Sequence, residues 1–227
     1  GNLAVVVKTA NGNYNFIGLR GDEYPELPVL GDDAQTLTMP VEVLANGVSK
    51  AVFATADDDL RPTMTGIFFD IKPEDVTFVA TDAHKLVRLK NMAVKSGVDA
   101  SFILPKKPAG LLKAVIAKEV GDVEISFEQK NIAFRLPSYT RVCRQIEGRF
   151  PNYNGVIPQN NPYRLIIDRV SLMNAAKRVF AFSNQGTGLI KLAISNNQLV
   201  VSAQDIDFST SAEETLVCQY EGNDITI

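Results

Sequence analysis

The sequence predicts an α+β protein in which one pattern of helix and antiparallel strands is repeated. Three observations predict it: short runs of alternating apolar residues, three segments with helical apolar spacing, and a helix-then-hairpin order that recurs after about 125 residues. The 227 residues are 45% hydrophobic and 22% charged, which is typical of globular domains. Since the chain contains no apolar run of the roughly 20 residues that a membrane helix needs, no membrane partner is expected.

The apolar periodicity places each element in turn. Residues 3–8 and 13–19 alternate well enough for a hairpin around Asn11-Gly12. Helices are predicted at residues 41–55, 108–118 and 169–183, and Pro108 suits a first helical turn. The remaining strands are predicted at residues 66–71, 76–80, 84–90, 101–104, 122–127, 132–136, 140–146, 198–203 and 208–219.

An internal repeat organises these elements. The aromatic-proline pairs Tyr24-Pro25 and Phe150-Pro151 lie 126 residues apart, and each precedes a predicted helix and then a hairpin. The matched pairs are Leu44/Leu172, Asn46/Asn174 and Lys50/Arg178 in the helices, and Ile71/Ile194, Val76/Leu199, Ala80/Ala203 and Asp82/Asp205 in the hairpins. We therefore expect a complete central domain at residues 38–158, the end of a preceding domain at 1–37 and the start of a following one at 159–227. The alternative is chance similarity between two helix-and-hairpin segments.

Several classes of chemistry lack their residues. One histidine, His84, excludes zinc sites with several histidines, and the chain has neither a GxxxxGK[ST] nor a GxGxxG motif, so no cofactor or metal is expected. We interpret Cys143 and Cys218 as reduced core thiols of a cytoplasmic protein, with a thiol nucleophile as the alternative. A small enzyme using Asp82 and His84 remains a second alternative, because residues two apart in a strand share a face.

The charge is distributed unevenly. The chain has a net charge of −3, yet residues 106–119 contain four lysines and one glutamate, and residues 168–184 contain three basic residues and one aspartate. Basic helix faces in an acidic protein favour sequence-independent contact with phosphate. The alternative is that these side chains only keep exposed helix faces hydrated.

Four stretches resemble the bacterial DNA sliding clamp family, the beta subunit of DNA polymerase III. They are residues 61–71 (RPTMTGIFFDI), 79–88 (VATDAHKLVR), 103–112 (ILPKKPAGLL) and 147–158 (EGRFPNYNGVIP). The resemblance implies repeated DNA-clamp domains, with antiparallel sheets outside and helices lining the side that faces DNA. It implies a non-catalytic processivity factor that encircles double-stranded DNA as a head-to-tail homodimer. Its partners would be the DNA polymerase III catalytic subunit, the clamp loader, and other polymerases and repair proteins.

The resemblance also implies a hydrophobic pocket between the second and third domains that binds short partner peptides. Carried over position by position, its residues are Met64, Thr81, Ala83, His84, Lys85, Leu86, Pro151, Gly155 and Val156. Ala83 replaces the usual glycine of the family, Lys85 an arginine, and Gly155 stands where an arginine is frequent, so peptide preference could differ. The alternative for His84 is a strand histidine that merely packs.

For DNA contact, the residues that match the family are Lys106 and Lys107. Four others follow only from their positions in predicted helices: Lys50, Lys113, Lys177 and Arg178. Because the chain begins inside the first domain of the family and stops inside the third, we expect that it forms no normal closed ring by itself. The alternative function is a shortened clamp relative that docks partner peptides without encircling DNA.

Overall fold

The computed structural model describes residues 3–24, 26, 28–58 and 60–227. The chain divides into two compact units, Gly1–Asn154 and Gly155–Ile227, called unit 1 and unit 2 below. Pro25, half of the first predicted aromatic-proline pair, lies outside the described residues. None of the described helices is both long enough and apolar enough to cross a membrane.

Unit 1 contains a separate hairpin and two four-stranded antiparallel sheets among its described residues. The predicted first hairpin is confirmed as β1 (Ala4–Thr9) and β2 (Gly12–Ile17). The other elements are β3 (Gln35–Pro40), α1 (Val41–Ala51), β4 (Gly66–Lys72), β5 (Asp75–Thr81), β6 (Leu86–Asn91), β7 (Ala100–Pro105), α2 (Lys106–Ile116), β8 (Asp122–Phe127), β9 (Asn131–Arg135) and β10 (Thr140–Arg144). The sheet orders are β6-β5-β4-β7 and β10-β9-β8-β3.

Two halves of unit 1 follow the same course of strand, helix and three strands, and they exchange their first strands. Strand β3 pairs with β8 of the second half, and β7 pairs with β4 of the first. The first N–H of α1 donates to the Gly121 carbonyl just before β8, and that of α2 donates to the Thr65 carbonyl just before β4. The halves therefore share one core, and sequence analysis missed this shorter repeat.

Unit 2 repeats the same order. Its elements are β11 (Arg164–Ile166), α3 (Arg169–Phe180), β12 (Lys191–Ser195), β13 (Gln198–Asp205), β14 (Thr210–Val217), β15 (Gln219–Glu221) and β16 (Ile225–Thr226). The sheet order is β14-β13-β12-β16, and β11 pairs with β15. The matched hairpin pairs of the predicted repeat, Ile71/Ile194, Val76/Leu199 and Ala80/Ala203, are all buried, so the repeat is confirmed at the level of element order and core positions.

Each helix buries one stripe of small and aliphatic side chains. Helix α1 buries Val41, Leu44, Gly47, Val48 and Ala51. The apolar spacing predicts Val41, Leu44, Val48 and Val52 on this face, and Val52 instead lies half-buried in the 3₁₀ turn that follows. A methyl group at Gly47 would lie 2.5 Å from the ring of Phe78, so the helix approaches β5 too closely for any larger residue. Helix α3 buries Ala175 and Val179 at the corresponding place.

The predicted boundaries differ from the structure where apolar periodicity is a poor guide. Helix α2 begins at Lys106 rather than residue 108. The predicted start was two residues late because Lys106 and Lys107 add nothing to the apolar pattern. Helices α1 and α3 end at Ala51 and Phe180, before the predicted ends, and α1 passes into a 3₁₀ turn. The predicted strand at 208–219 is divided at Cys218, and β3, β11 and β16 were not predicted because they are short or mostly polar.

Candidate functional site

The loop between β5 and β6, residues 82–85, is closed by the side chains of Thr81 and Asp82. The Asp82 carboxylate oxygen Oδ1 accepts hydrogen bonds from the backbone N–H groups of His84 (3.0 Å) and Lys85 (2.9 Å). The Thr81 hydroxyl donates to the Lys85 carbonyl (2.8 Å) and accepts from the Ala83 N–H (3.1 Å). We call this segment the β5–β6 loop. The backbone of the loop is therefore fixed by hydrogen bonds from within the loop and from Thr81.

Asp82 is a structural anion in this loop. Its carboxylate pairs with the Lys85 ammonium group, and this pairing, together with the backbone N–H donors, holds the pKa of Asp82 well below its usual range. The strand predicted at residues 84–90 is present as β6, but it begins at Leu86 rather than His84, so Asp82 and His84 both lie in the loop. The acid–base pair that depended on a shared strand face therefore loses its geometric basis.

Ala83 has the one backbone conformation in the loop that favours glycine. Its φ is +76°, in the left-handed region that residues with a β-carbon adopt reluctantly. The family resemblance places a glycine at this position, and the structure supplies the physical reason. Ala83 itself is exposed, so its methyl group is accommodated at the cost of backbone strain rather than of a clash.

The other predicted pocket residues of unit 1 lie near the same end of the β4–β5 hairpin. Met64 is half-buried in the 3₁₀ turn Pro62–Met64, which ends just before β4 starts, and antiparallel pairing puts the start of β4 beside the end of β5. Thr81 is buried and Leu86 half-buried, whereas His84 and Lys85 are exposed. Apolar side chains with a polar rim are typical of a peptide-binding surface.

The segment after β10 is anchored to β4 by two aromatic side chains. The ring of Phe150 stacks on Phe68 with centroids 4.8 Å apart and planes 5° from parallel. The Tyr153 hydroxyl donates to the Asp70 carboxylate at 2.7 Å, and burial, with the neighbouring carboxylate, raises the pKa of Tyr153. Sequence analysis used Phe150 only as a repeat marker and missed Asp70 and Tyr153. Pro151 is half-buried between the two anchors.

Two further predicted pocket residues, Gly155 and Val156, belong to unit 2. Both are exposed, and the Val156 side chain retains 69% of its accessible surface. They fall in the 3₁₀ turn Tyr153–Val156.

The candidate DNA contacts differ in their surroundings. Lys107 and Lys177 each lie two residues from a buried alanine, which on an α-helix places them on the opposite side from the core. Lys50 and Lys113 are also exposed. Lys106 instead pairs with Asp57 (Nζ to Oδ1, 2.6 Å), and Arg178 pairs with Glu214 through two bonds of 2.6 Å.

Little in the described residues suggests other chemistry. Among them, no three His, Cys, Asp or Glu side chains are grouped in a way that could hold a metal ion. Both cysteines are free thiols, Cys218 buried and Cys143 half-buried. Burial raises the pKa of the Cys143 thiol to about 11, which opposes the thiolate that a nucleophile requires.

The fold is that of a DNA clamp. Helix-and-hairpin units repeat along the chain, and each helix buries one side and exposes basic residues on the opposite side. The chain belongs to the DNA polymerase III beta subunit family. Residues 38–152 match the family model for the central domain of that subunit, and residues 154–227 match the model for its C-terminal domain. The resemblance that the four sequence stretches predicted is confirmed.

Known clamps resemble the chain over its full length. The beta sliding clamp of Synechococcus elongatus is 27% identical over 99% of this chain and 61% of its own length. A crystal structure of the sliding clamp of Bartonella birtlesii, bound to griselimycin, is 27% identical, has a TM-score of 0.89, and is matched over 99% of this chain and 61% of that one. The Pseudomonas aeruginosa sliding clamp, 24% identical with a TM-score of 0.91 over 100% of this chain and 62% of its own, supports the fold. The chain therefore spans about 61% of the length of the Synechococcus clamp.

Proposed function

We propose that this chain forms part of a sliding clamp, a non-catalytic cytoplasmic factor of DNA replication that encircles duplex DNA as a head-to-tail dimer. It would tether the DNA polymerase III catalytic subunit, the clamp loader, and other polymerases and repair proteins. Family membership supports the class, and the exposed basic residues of the helices support contact with phosphate. The candidate contacts are Lys50, Lys106, Lys107, Lys113, Lys177 and Arg178. Such contacts carry no base information, which suits a protein that must slide.

The β5–β6 loop is the observation that carries the peptide-docking part of the proposal. Its backbone is held by Thr81 and Asp82, so the exposed His84 and Lys85 and the half-buried Leu86 present a pre-organised surface to a partner. Pre-organisation lowers the ordering cost of binding. The other proposed docking residues are Met64, Ala83, Pro151, Gly155 and Val156. Partner peptides with leucine and phenylalanine anchors suit apolar side chains with a polar rim.

A peptide-binding titration tests this proposal. A fluorescein-labelled peptide with leucine and phenylalanine anchors is titrated with the chain and followed by anisotropy. We expect Met64→Ala and His84→Ala each to weaken binding about tenfold, as truncation of anchoring contacts usually does. Lys95→Ala is the control, because Lys95 is an exposed lysine paired with Glu74 away from the loop. Equal effects of all three substitutions would refute docking at this loop.

A second candidate function is docking of partner peptides without encircling DNA. It is favoured by the ion pairs of Lys106 and Arg178, which engage two candidate DNA contacts with carboxylates. Retention on DNA separates the two functions. A clamp loaded on a nicked circular plasmid stays bound and is released when the plasmid is linearised, whereas a docking protein shows no such dependence on topology. The native mass, measured in parallel, shows whether a dimer accompanies retention.

A further inference from the structure

We propose that Glu214 and Asp57 are built-in competitors of DNA phosphate, each occupying a basic side chain that would otherwise bind the DNA backbone. The inference deepens the proposed function and rests on its DNA contacts at Arg178 and Lys106. Both acids lie outside the helix that carries the basic residue, 36 and 49 residues away in sequence. The candidate contacts therefore fall into a paired group, Lys106 and Arg178, and an unpaired group. The unpaired group forms no ion pair with another described residue and consists of Lys50, Lys107, Lys113 and Lys177.

The Arg178–Glu214 pair has the geometry with which an arginine would hold a phosphate. Nε and one terminal nitrogen of Arg178 donate to the two carboxylate oxygens of Glu214, both at 2.6 Å. A guanidinium group binds phosphate through the same two parallel N–H groups. A phosphate oxygen pair and Glu214 therefore compete for the same donors. Glu214 lies on β14, beside α3, and is less exposed (28%) than Arg178 (62%), so the carboxylate is the better-fixed member of the pair.

The Lys106–Asp57 pair in unit 1 has the same chemistry, but its carboxylate is more exposed to solvent than that of Glu214. Lys106 is the first residue of α2, and its ammonium nitrogen lies 2.6 Å from Oδ1 of Asp57. The Asp57 side chain is 86% exposed, so water and salt compete strongly with this pair. We therefore expect Asp57 to weaken phosphate binding less than Glu214 does.

Competition of this kind changes two measurable quantities. An exposed ion pair is weak, and its removal should strengthen phosphate contact by about two- to fivefold. Each additional phosphate contact makes the dependence of log K on log salt steeper by about 0.9. The acids would thus keep the contact weak and exchangeable, which a sliding protein needs, without removing positive charge from the helices.

The test compares four substitutions that each remove one negative charge. Glu214→Gln and Asp57→Asn break the two pairs, while Glu124→Gln and Asp99→Asn are matched controls. Glu124 pairs with Arg135 across β8 and β9, and Asp99 pairs with Lys72, so neither control acid contacts a candidate DNA residue. Affinity for a fluorescein-labelled duplex is measured by anisotropy from low to physiological salt, and circular dichroism verifies folding. The single variant Arg178→Gln and the double variant Arg178→Gln/Glu214→Gln complete a double-mutant cycle with wild type and Glu214→Gln.

We expect Glu214→Gln to bind duplex about two- to fivefold more tightly, with a steeper salt dependence. Asp57→Asn should show a smaller gain in affinity for the duplex, and the two controls should show no more than a common small gain. The double variant should show no gain in affinity over Arg178→Gln alone. Equal gains from all four substitutions of acids would mean that net charge alone matters, and this would overturn the inference. It would also be overturned if wild type bound duplex and Glu214→Gln bound it identically. If neither wild type nor any variant bound duplex at low salt, the DNA contacts of the proposed function would fail as well.

Discussion

Replacing Ala83 by glycine should stabilise unit 1. Ala83 has a φ of +76°, and a residue with a β-carbon in the left-handed region carries a penalty of about 1–2 kcal/mol that glycine avoids. Glycine gives back about 0.4–1 kcal/mol through the greater freedom of its unfolded chain. The midpoints of these two ranges differ by about 0.8 kcal/mol, which predicts a gain of about 0.5–1 kcal/mol in the free energy of unfolding. The hydrogen bonds of the loop involve backbone groups and the side chains of its neighbours, so the substitution removes none of them.

Thermal unfolding followed by circular dichroism measures this gain. A chain of this size shifts its Tm by about 2–4 °C per kcal/mol, so we expect a rise of about 1–4 °C. The matched control is Ala114→Gly on the exposed face of α2, where glycine should lower stability by about 1 kcal/mol. Opposite signs for the same chemical change identify the backbone conformation as the cause. If Ala83→Gly lowered Tm as the control does, the strain argument at this loop would be refuted.

Two further predictions use a helix–strand contact and a buried thiol. Gly47→Ala should lower the free energy of unfolding by about 1–3 kcal/mol, because its methyl group would lie 2.5 Å from the ring of Phe78. Gly110→Ala, which has open space around it, should raise the free energy of unfolding by about 0.5–1 kcal/mol. Changes of the same sign in urea unfolding would contradict the packing argument. In a Cys218→Ala background, iodoacetamide should alkylate Cys143 more than about tenfold more slowly at pH 9 than it alkylates N-acetylcysteine. The rate should keep rising towards pH 11, since the raised pKa keeps the thiol protonated; a plateau near pH 9 would refute the effect of burial.

The sequence predicted those elements in which apolar residues are dense and regularly spaced. Helix α1 and the β4–β5 hairpin were predicted to within a few residues, because Val41, Leu44 and Val48 form one stripe and most residues of the two strands are buried. Strand β3 was missed because only two of its residues, Leu37 and Met39, face the core. The crossing of β3 and β7 between sheets leaves no local signal, since strand partners are chosen by long-range packing.

The β5–β6 loop could not be predicted from the pattern alone. The strand predicted at residues 84–90 begins two residues too early, and its first two residues, His84 and Lys85, belong to the closed loop. Two features define the loop instead: the side-chain acceptor of Asp82 and the positive φ of Ala83. Asp82 was noticed as one half of the pair Asp82/Asp205, and Asp205 indeed accepts the same two backbone bonds, from residues two and three positions later. The match between Asp82 and Asp205 therefore has a local hydrogen-bonding reason.

The helices separate stability from the proposed DNA contact. Each helix buries a narrow stripe of side chains against the core. In α1 and α2, the first backbone N–H also donates a hydrogen bond to a carbonyl of the opposite half of unit 1, so these contacts set the position of the helix. The side opposite the stripe is then free to carry charge, as Lys107 and Lys177 do. Substitutions there should change binding to duplex DNA while leaving Tm unchanged, and Gly47→Ala should do the reverse. The acids that pair with Arg178 and Lys106 come from other segments, so the strength of the phosphate contact can vary without any change in the helices themselves.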